Sequence, residues 1–207
     1  MAGPPLVYTP PSYTTTNVLY GVGILFTAPN PSPGTGAAVP SDQNLGVGSS
    51  WLGLGWNYVG STEAGVTLTF NPTTQNISIE EQPTPVGVAV NTADLQLTTN
   101  LSEETLTNIN VAWGNGGSVA VTAPGAGQPG KSVLTLSTNF QTVSVALIGK
   151  NQLGYARVLY IPVMVSAGQV QTAFRRAAQQ RLYPLTLSAV CQFSSITWTD
   201  LTAIATS

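Results

Sequence analysis

The sequence predicts an all-β domain, an antiparallel sandwich or barrel with one flanking α-helix. Three observations carry that reading. From residue 51 onward apolar residues recur mostly every second position, in short runs separated by Gly/Pro turn clusters, as half-buried strands do. One segment, 103–113, switches to helical spacing. Strands alternating with long helical patterns, the mark of a parallel sheet, are missing.

In chain order, residues 1–16 read as an N-terminal arm and 17–207 as a single domain. Pro4, Pro5, Pro10 and Pro11 donate no ladder hydrogen bonds and hold their predecessors extended. Val18–Phe26 is an apolar strand. Residues 27–50 then carry Pro29, Pro31, Pro33 and Pro40 among glycines. A loop that long with no element of its own suits a segment that orders against a neighbour, and its deletion is expected to leave the subunit folded. Val66, Leu68 and Phe70 alternate with threonines, and Ile77 and Ile79 with Ser78 and Glu80. Further strands are expected at 118–122, 132–136, 143–147, 157–165 and 185–189. Pro162 requires its strand to be an edge or to bulge there.

The helix over 103–113 follows from Ser102 as N-cap, Glu103 and Glu104 in the first turn, and a Leu101–Leu106 staple. Leu106, Ile109 and Trp113 share one face, and Gly114 ends the run. Residues 168–181 fit helix and strand equally.

Composition narrows the function. Of 207 residues only 7% are charged, against about 25% in an ordinary soluble domain. Ser and Thr number 44 and the net charge is −2, so hydroxyls rather than ions wet the surface, and little repulsion keeps copies apart. The absence of His removes the imidazole base, the imidazole metal ligand and the Ser-His and Cys-His nucleophile pairs. The single Cys191 excludes an internal disulfide framework and a thiolate zinc site. The N-terminus lacks the basic and apolar regions of a signal peptide, and no apolar run reaches the roughly 18 residues of a membrane helix. These features predict a non-secreted, self-associating β protein that is not an enzyme and takes no cofactor or metal.

Charge is divided along the chain. Seven of the eight acids precede residue 105, and all six bases follow residue 130. The two sets either attract copies head to tail or pair within one subunit.

Gly125–Ser132 spells G-x-x-x-x-G-K-S, the phosphate-cradling loop whose chemistry needs a helix to begin at Lys131-Ser132. The residues that follow have strand composition, and the only later acid is Asp200, so a hairpin loop is the better reading. Adjacent acids at Glu80/Glu81 point to opposite faces of a strand, and Glu103/Glu104 serve a helix start, so neither pair forms a catalytic dyad. Asn76-Ile-Ser78 and Asn100-Leu-Ser102 are sequons without a secretory context. Arg175, Arg176 and Arg181 beside Phe174 and Tyr183 make too small a basic footprint for nucleic acid on a net-acidic chain, and subunit contact with the acids suits them better. Trp51, Trp56, Trp113 and Trp198 read as core or interface anchors.

Three stretches together resemble the major tail (tail tube) proteins of long, non-contractile-tailed phages. They are Gly55-Trp-Asn-Tyr-Val-Gly60 through Val66, Asn76-Ile-Ser-Ile-Glu-Glu through Val86, and Ala93-Asp-Leu-Gln-Leu through Ile109. Val170–Ala189, with Phe174-Arg-Arg-Ala-Ala and Leu182-Tyr-Pro-Leu-Thr-Leu, is similar to the late strands of actinobacterial-phage examples. The resemblance covers roughly residues 50–200 in order. It implies a tail-tube-type sandwich or barrel subunit, six closing into a ring and the rings stacking into a hollow tube. Such a tube conducts phage DNA without sequence-specific binding, encloses the tape-measure protein, and meets tail tip and tail terminator proteins. It implies a virion protein assembled in the host cytoplasm, with no membrane partner. Residues 1–16 and 27–50 are then the segments expected to reach the next ring. Pro29, Pro31, Pro33, Pro40, Glu80, Glu81, Arg175, Arg176 and Arg181 are the candidate inter-subunit contacts. Another ring-forming tail protein (terminator, tip, or the tube of a contractile injection machine) and a β-sandwich decoration or carbohydrate-binding module are the alternative readings.

Overall fold

The structure, a computed structural model, describes residues 19–29, 35–78, 80–81, 84–114, 116–151, 155–170 and 182–201. The N-terminal arm, Pro31 and Pro33, Ile79 and the arginines at 175, 176 and 181 lie outside them.

Over the described residues the fold is mostly antiparallel β-sheet with two short helices, as expected of an all-β chain. The strands are β1 (Leu19–Pro29), β2 (Asn57–Tyr58), β3 (Thr62–Ile77), β4 (Gly87–Leu101), β5 (Ser118–Thr122), β6 (Lys131–Thr135), β7 (Thr142–Asn151), β8 (Ala156–Ser166), β9 (Tyr183–Ala189) and β10 (Thr197–Asp200). The helices are α1 (Gly48–Gly53) and α2 (Leu106–Ala112). Eight strands form one sheet in the order β2-β1-β7-β8-β9-β4-β3, with β10 also paired to β8; β5 and β6 form a separate hairpin. Among the described residues the main sheet does not close into a barrel, and β2 and β3 are its outer strands.

Strands β1, β7 and β8 are buried on both faces. Leu25, Val145, Leu159 and Ile161 join Leu97 and Leu101 of β4 and Leu185 and Leu187 of β9 in the larger core. Side chains one position along, Phe26, Ala146, Ile148 and Val158, face a second core built with Leu45, Trp51 and Trp56. Period-two geometry assigns neighbouring residues to these opposite faces.

That second core corrects one part of the expectation for 27–50, that the segment has no element of its own. Residues 27–29 belong to β1, a 3₁₀ turn occupies Asp42–Asn44, and α1 starts at Gly48. Trp51 stacks on Phe26 at 5.7 Å and meets Trp56 edge to face at 4.9 Å. The indole N–H of Trp51 donates to Leu45 O and that of Trp56 to Ala38 O, each at 2.7 Å. The described part of the segment is thus anchored on its own sheet at Pro40 and Leu45, which are buried, and by the acceptors it offers to Trp51 and Trp56, while most of residues 35–50 stay exposed.

Pro162 does bulge its strand, but in a central strand and not at an edge. The β7–β8 register shifts between Val143 and Val145, so Pro162 and Val163 oppose Ser144 alone. The buried Ser144 hydroxyl donates to Pro162 O at 2.6 Å and accepts from Ala37 N at 2.7 Å. On its other edge β8 pairs with β10 before the proline and β9 after it.

The helix expected over 103–113 is shorter. Its N-cap is Thr105, whose hydroxyl accepts from Asn108 N, and no acid lies in its first turn. Ser102 instead pairs through its backbone with Ser61 and Leu101 is a buried β4 residue; with Thr105 as cap, the staple positions pass from Leu101 and Leu106 to Glu104 and Ile109. Glu103 accepts from Ser61 N at 2.9 Å, and Glu104 from the Tyr183 hydroxyl at 2.7 Å. Asn108 is buried by bonding Val59 O and Glu103 O, while Trp113, expected on the buried face, is left exposed at the C-terminus.

Candidate functional site

Strand β3 and strand β4 form a hairpin of 16 and 15 residues, longer than any other pair in the fold. One strand was expected at Val66–Phe70 and another at Ile77–Glu80; instead a single strand runs from Thr62 through Pro72 to Ile77, and Glu80 lies in the turn. Proline is compatible with this position because β3 is an outer strand. Near its start, β3 carries two extra residues opposite β4, where Gly65 takes a φ of 78° and its carbonyl accepts from Thr99 Oγ1 at 2.7 Å.

Only the base of this hairpin is held by the domain. Strand β9 pairs with β4 at Gln96–Leu101 and no further. Beyond that point the described side chains are almost all exposed, including Phe70 at 57% and Val88 and Val90 at 62% each. Among the described residues Phe193 is the aromatic neighbour of Phe70, edge to face at 5.5 Å.

The two faces of the hairpin differ in chemistry. Directly opposed residues share a face. Thr67, Thr69, Asn71 and Thr73 oppose Thr98, Gln96, Asp94 and Thr92, a ladder of hydroxyls and amides with one acid and no base. A shallow groove of about 200 Å³ opens on this side, lined by Thr67, Thr98, Asn100 and Thr186 around Gly65, with no titratable side chain in its wall. The other face carries Val66, Leu68, Leu95 and Leu97 into the core.

The candidate contact residues fall as follows. Glu80 and Glu81 sit exposed in the hairpin turn, and Pro29 is exposed at the end of β1. Pro40 is buried in the chain's own packing. The Gly125–Ser132 stretch closes the β5–β6 hairpin, with a Gly125–Gln128 bridge; Lys131 and Ser132 open a strand and not the helix a phosphate loop needs. Arg157 forms an ion pair with Asp200, which tethers β10 to β8; the guanidinium holds the Asp200 carboxyl below the usual carboxylate range, chiefly by hydrogen bonding. Burial pushes the Tyr160 phenol up; its hydroxyl donates to Ala37 O at 2.9 Å. Among the described residues no group of three or more His, Cys, Asp or Glu side chains could hold a metal, and no helix is long and apolar enough to cross a membrane.

Sequence reasoning missed Val88 and Val90 as surface residues. Val86, Val88 and Val90 alternate as a strand should, but the alternation does not reveal that no described part of the subunit covers them.

The fold and surface define an open, antiparallel β-domain with a long projecting hairpin and a surface poor in ions. Neither a scan against protein-family models nor a search of curated proteins returns a match to this chain.

Proposed function

We propose that this chain is a structural subunit that self-associates, of the tail-tube kind found in long, non-contractile-tailed phages. Six copies close into a ring, and rings stack into a hollow conduit for DNA that encloses a tape-measure protein. The carrying observation is the open sheet: β3 ends it with a 16-residue strand that has no partner on its outer side among the described residues. Such an edge is a template for pairing, and natural monomers blunt it with charge. This chain has 7% charged residues and one proline, Pro72, to do so. Pairing copies edge to edge satisfies these backbone groups and closes a barrel that one subunit leaves open. The hydroxyl and amide face of the hairpin supports the conduit reading. Lacking bases, it gains nothing from counterion release when a phosphate backbone passes.

The test is negative-stain imaging of the purified full chain with sedimentation velocity over a concentration series. Rings or tubes that grow with concentration are expected. A monomer at every concentration overturns the proposal.

A further inference from the structure

The apolar face of the hairpin does not stop where the core stops. Strand β4 carries one extra residue, Asn91, opposite the Thr73–Thr74 step of β3. Its amide donates to Gln75 Oε1 at 3.2 Å. Across this bulge Phe70 opposes Leu95, Pro72 opposes Ala93, Thr74 opposes Val90 and Asn76 opposes Val88. Alternation along β3 therefore places Val90 and Val88 on the face of Phe70 and Leu95. Without the bulge, both valines would turn to the hydroxyl face. The bulge extends the core-side stripe by two residues that no described part of the subunit covers. A two-stranded ribbon bare on both faces is marginal in water, so the arm calls for a covering surface.

The arm's only charges are acids. Glu80 and Glu81 lie at its tip and Asp94 at its base opposite Asn71, and residues 70–95 contain no base. We infer that this arm docks on a second copy of the chain, its valine face covered by that copy and its tip acids set against the copy's basic C-terminal half. That half supplies the complement: after residue 130 there are six bases and one acid, Asp200, which already pairs with Arg157. A phosphate-rich partner, nucleic acid or anionic membrane, would be repelled by the same acids. The contact joins unlike surfaces, so it propagates from copy to copy and does not stop at a pair. This inference rests on the self-association proposed above, but it concerns the arm beyond Phe70 and not the edge pairing of β3.

Three variants of the full chain test it by sedimentation velocity, with thermal melts as the folding control. In one, residues 72–93 are replaced by an Asn-Gly turn joining Asn71 to Asp94. The second is Val88→Ser with Val90→Ser, and the third Glu80→Lys with Glu81→Lys. All three should melt cooperatively, because the arm lies outside both cores. Each should weaken self-association by about tenfold or more. The double lysine variant should regain association when mixed with Arg175→Glu/Arg176→Glu protein. If the wild type associates and the shortened arm associates equally well, the arm has another occupant and the inference is overturned. A wild type that never associates overturns the self-association reading itself.

Discussion

Replacing Trp51 by alanine measures directly whether the Gly/Pro-rich segment belongs to the folded core. The side chain is fully buried, stacks on Phe26 at 5.7 Å, meets Trp56 at 4.9 Å, and donates to Leu45 O at 2.7 Å. Removing a buried indole costs about 3–5 kcal/mol in transfer and cavity terms. Trp51→Phe keeps a ring but removes the donor to the buried Leu45 carbonyl, at about 1–3 kcal/mol. Against a domain stability of about 5–15 kcal/mol, the alanine change removes a large share and the phenylalanine change a smaller one. Urea unfolding followed by far-ultraviolet circular dichroism should give midpoints in the order wild type, Trp51→Phe, Trp51→Ala, with unchanged slope. Deleting 35–50 should prevent folding, since Leu45, Pro40, the Ala37 and Ala38 partners of Ser144, Tyr160 and Trp56, and the first three residues of α1 all leave with it. A loss below about 1 kcal/mol for Trp51→Ala, or a deletion that still folds, would refute the packing argument.

Three further outcomes follow from particular contacts. Gly36→Ala would drive a Cβ into the Tyr160 hydroxyl and the Pro162 ring, and should destabilise by about 1–3 kcal/mol in the same urea assay. The raised Tyr160 pKa means that its neutral form is the one the fold favours; that stability is present below the ordinary tyrosine value of about 10 and lost as pH rises through the folded value. Melting temperature should therefore fall on the alkaline side in the wild type and fall less steeply in Tyr160→Phe. The lowered Asp200 pKa gives the opposite sign: its contribution is present above the ordinary aspartate value and lost as pH falls through the folded one. Because the pair is solvent-exposed, Asp200→Asn should lower the melting temperature only slightly, and the difference should vanish in molar salt.

Much of the sheet was legible because its signal is local. Val143, Val145 and Leu147 alternate in the sequence and alternate in β7, and 118–122 is β5 to the residue. The errors arise where a distant residue decides. Ser102 and Thr105 are both competent caps; Thr105 serves because Glu103 is taken by Ser61 N and Glu104 by Tyr183. Pro162 signalled a bulge, yet only the Ser144 hydroxyl, 18 residues away, shows how a central strand accommodates it. In the 27–50 segment proline and glycine masked a core, although Leu45 together with the nearby Trp51 and Trp56 was available as a warning. The candidate surface was legible in its charge, with Glu80 and Glu81 at the tip, but not in its apolar face. The placement of Val88 and Val90 on the core side of the hairpin depends on the Asn91 bulge, which no alternation rule anticipates.

The account stands or falls on what the open edge of β3 does in solution. Electron microscopy of the full chain, concentrated at neutral pH, is the most direct measurement of it. Annular end views and striated side views of one constant width are predicted. Discrete particles of a single 21.4 kDa chain, unchanged on concentration, would contradict it.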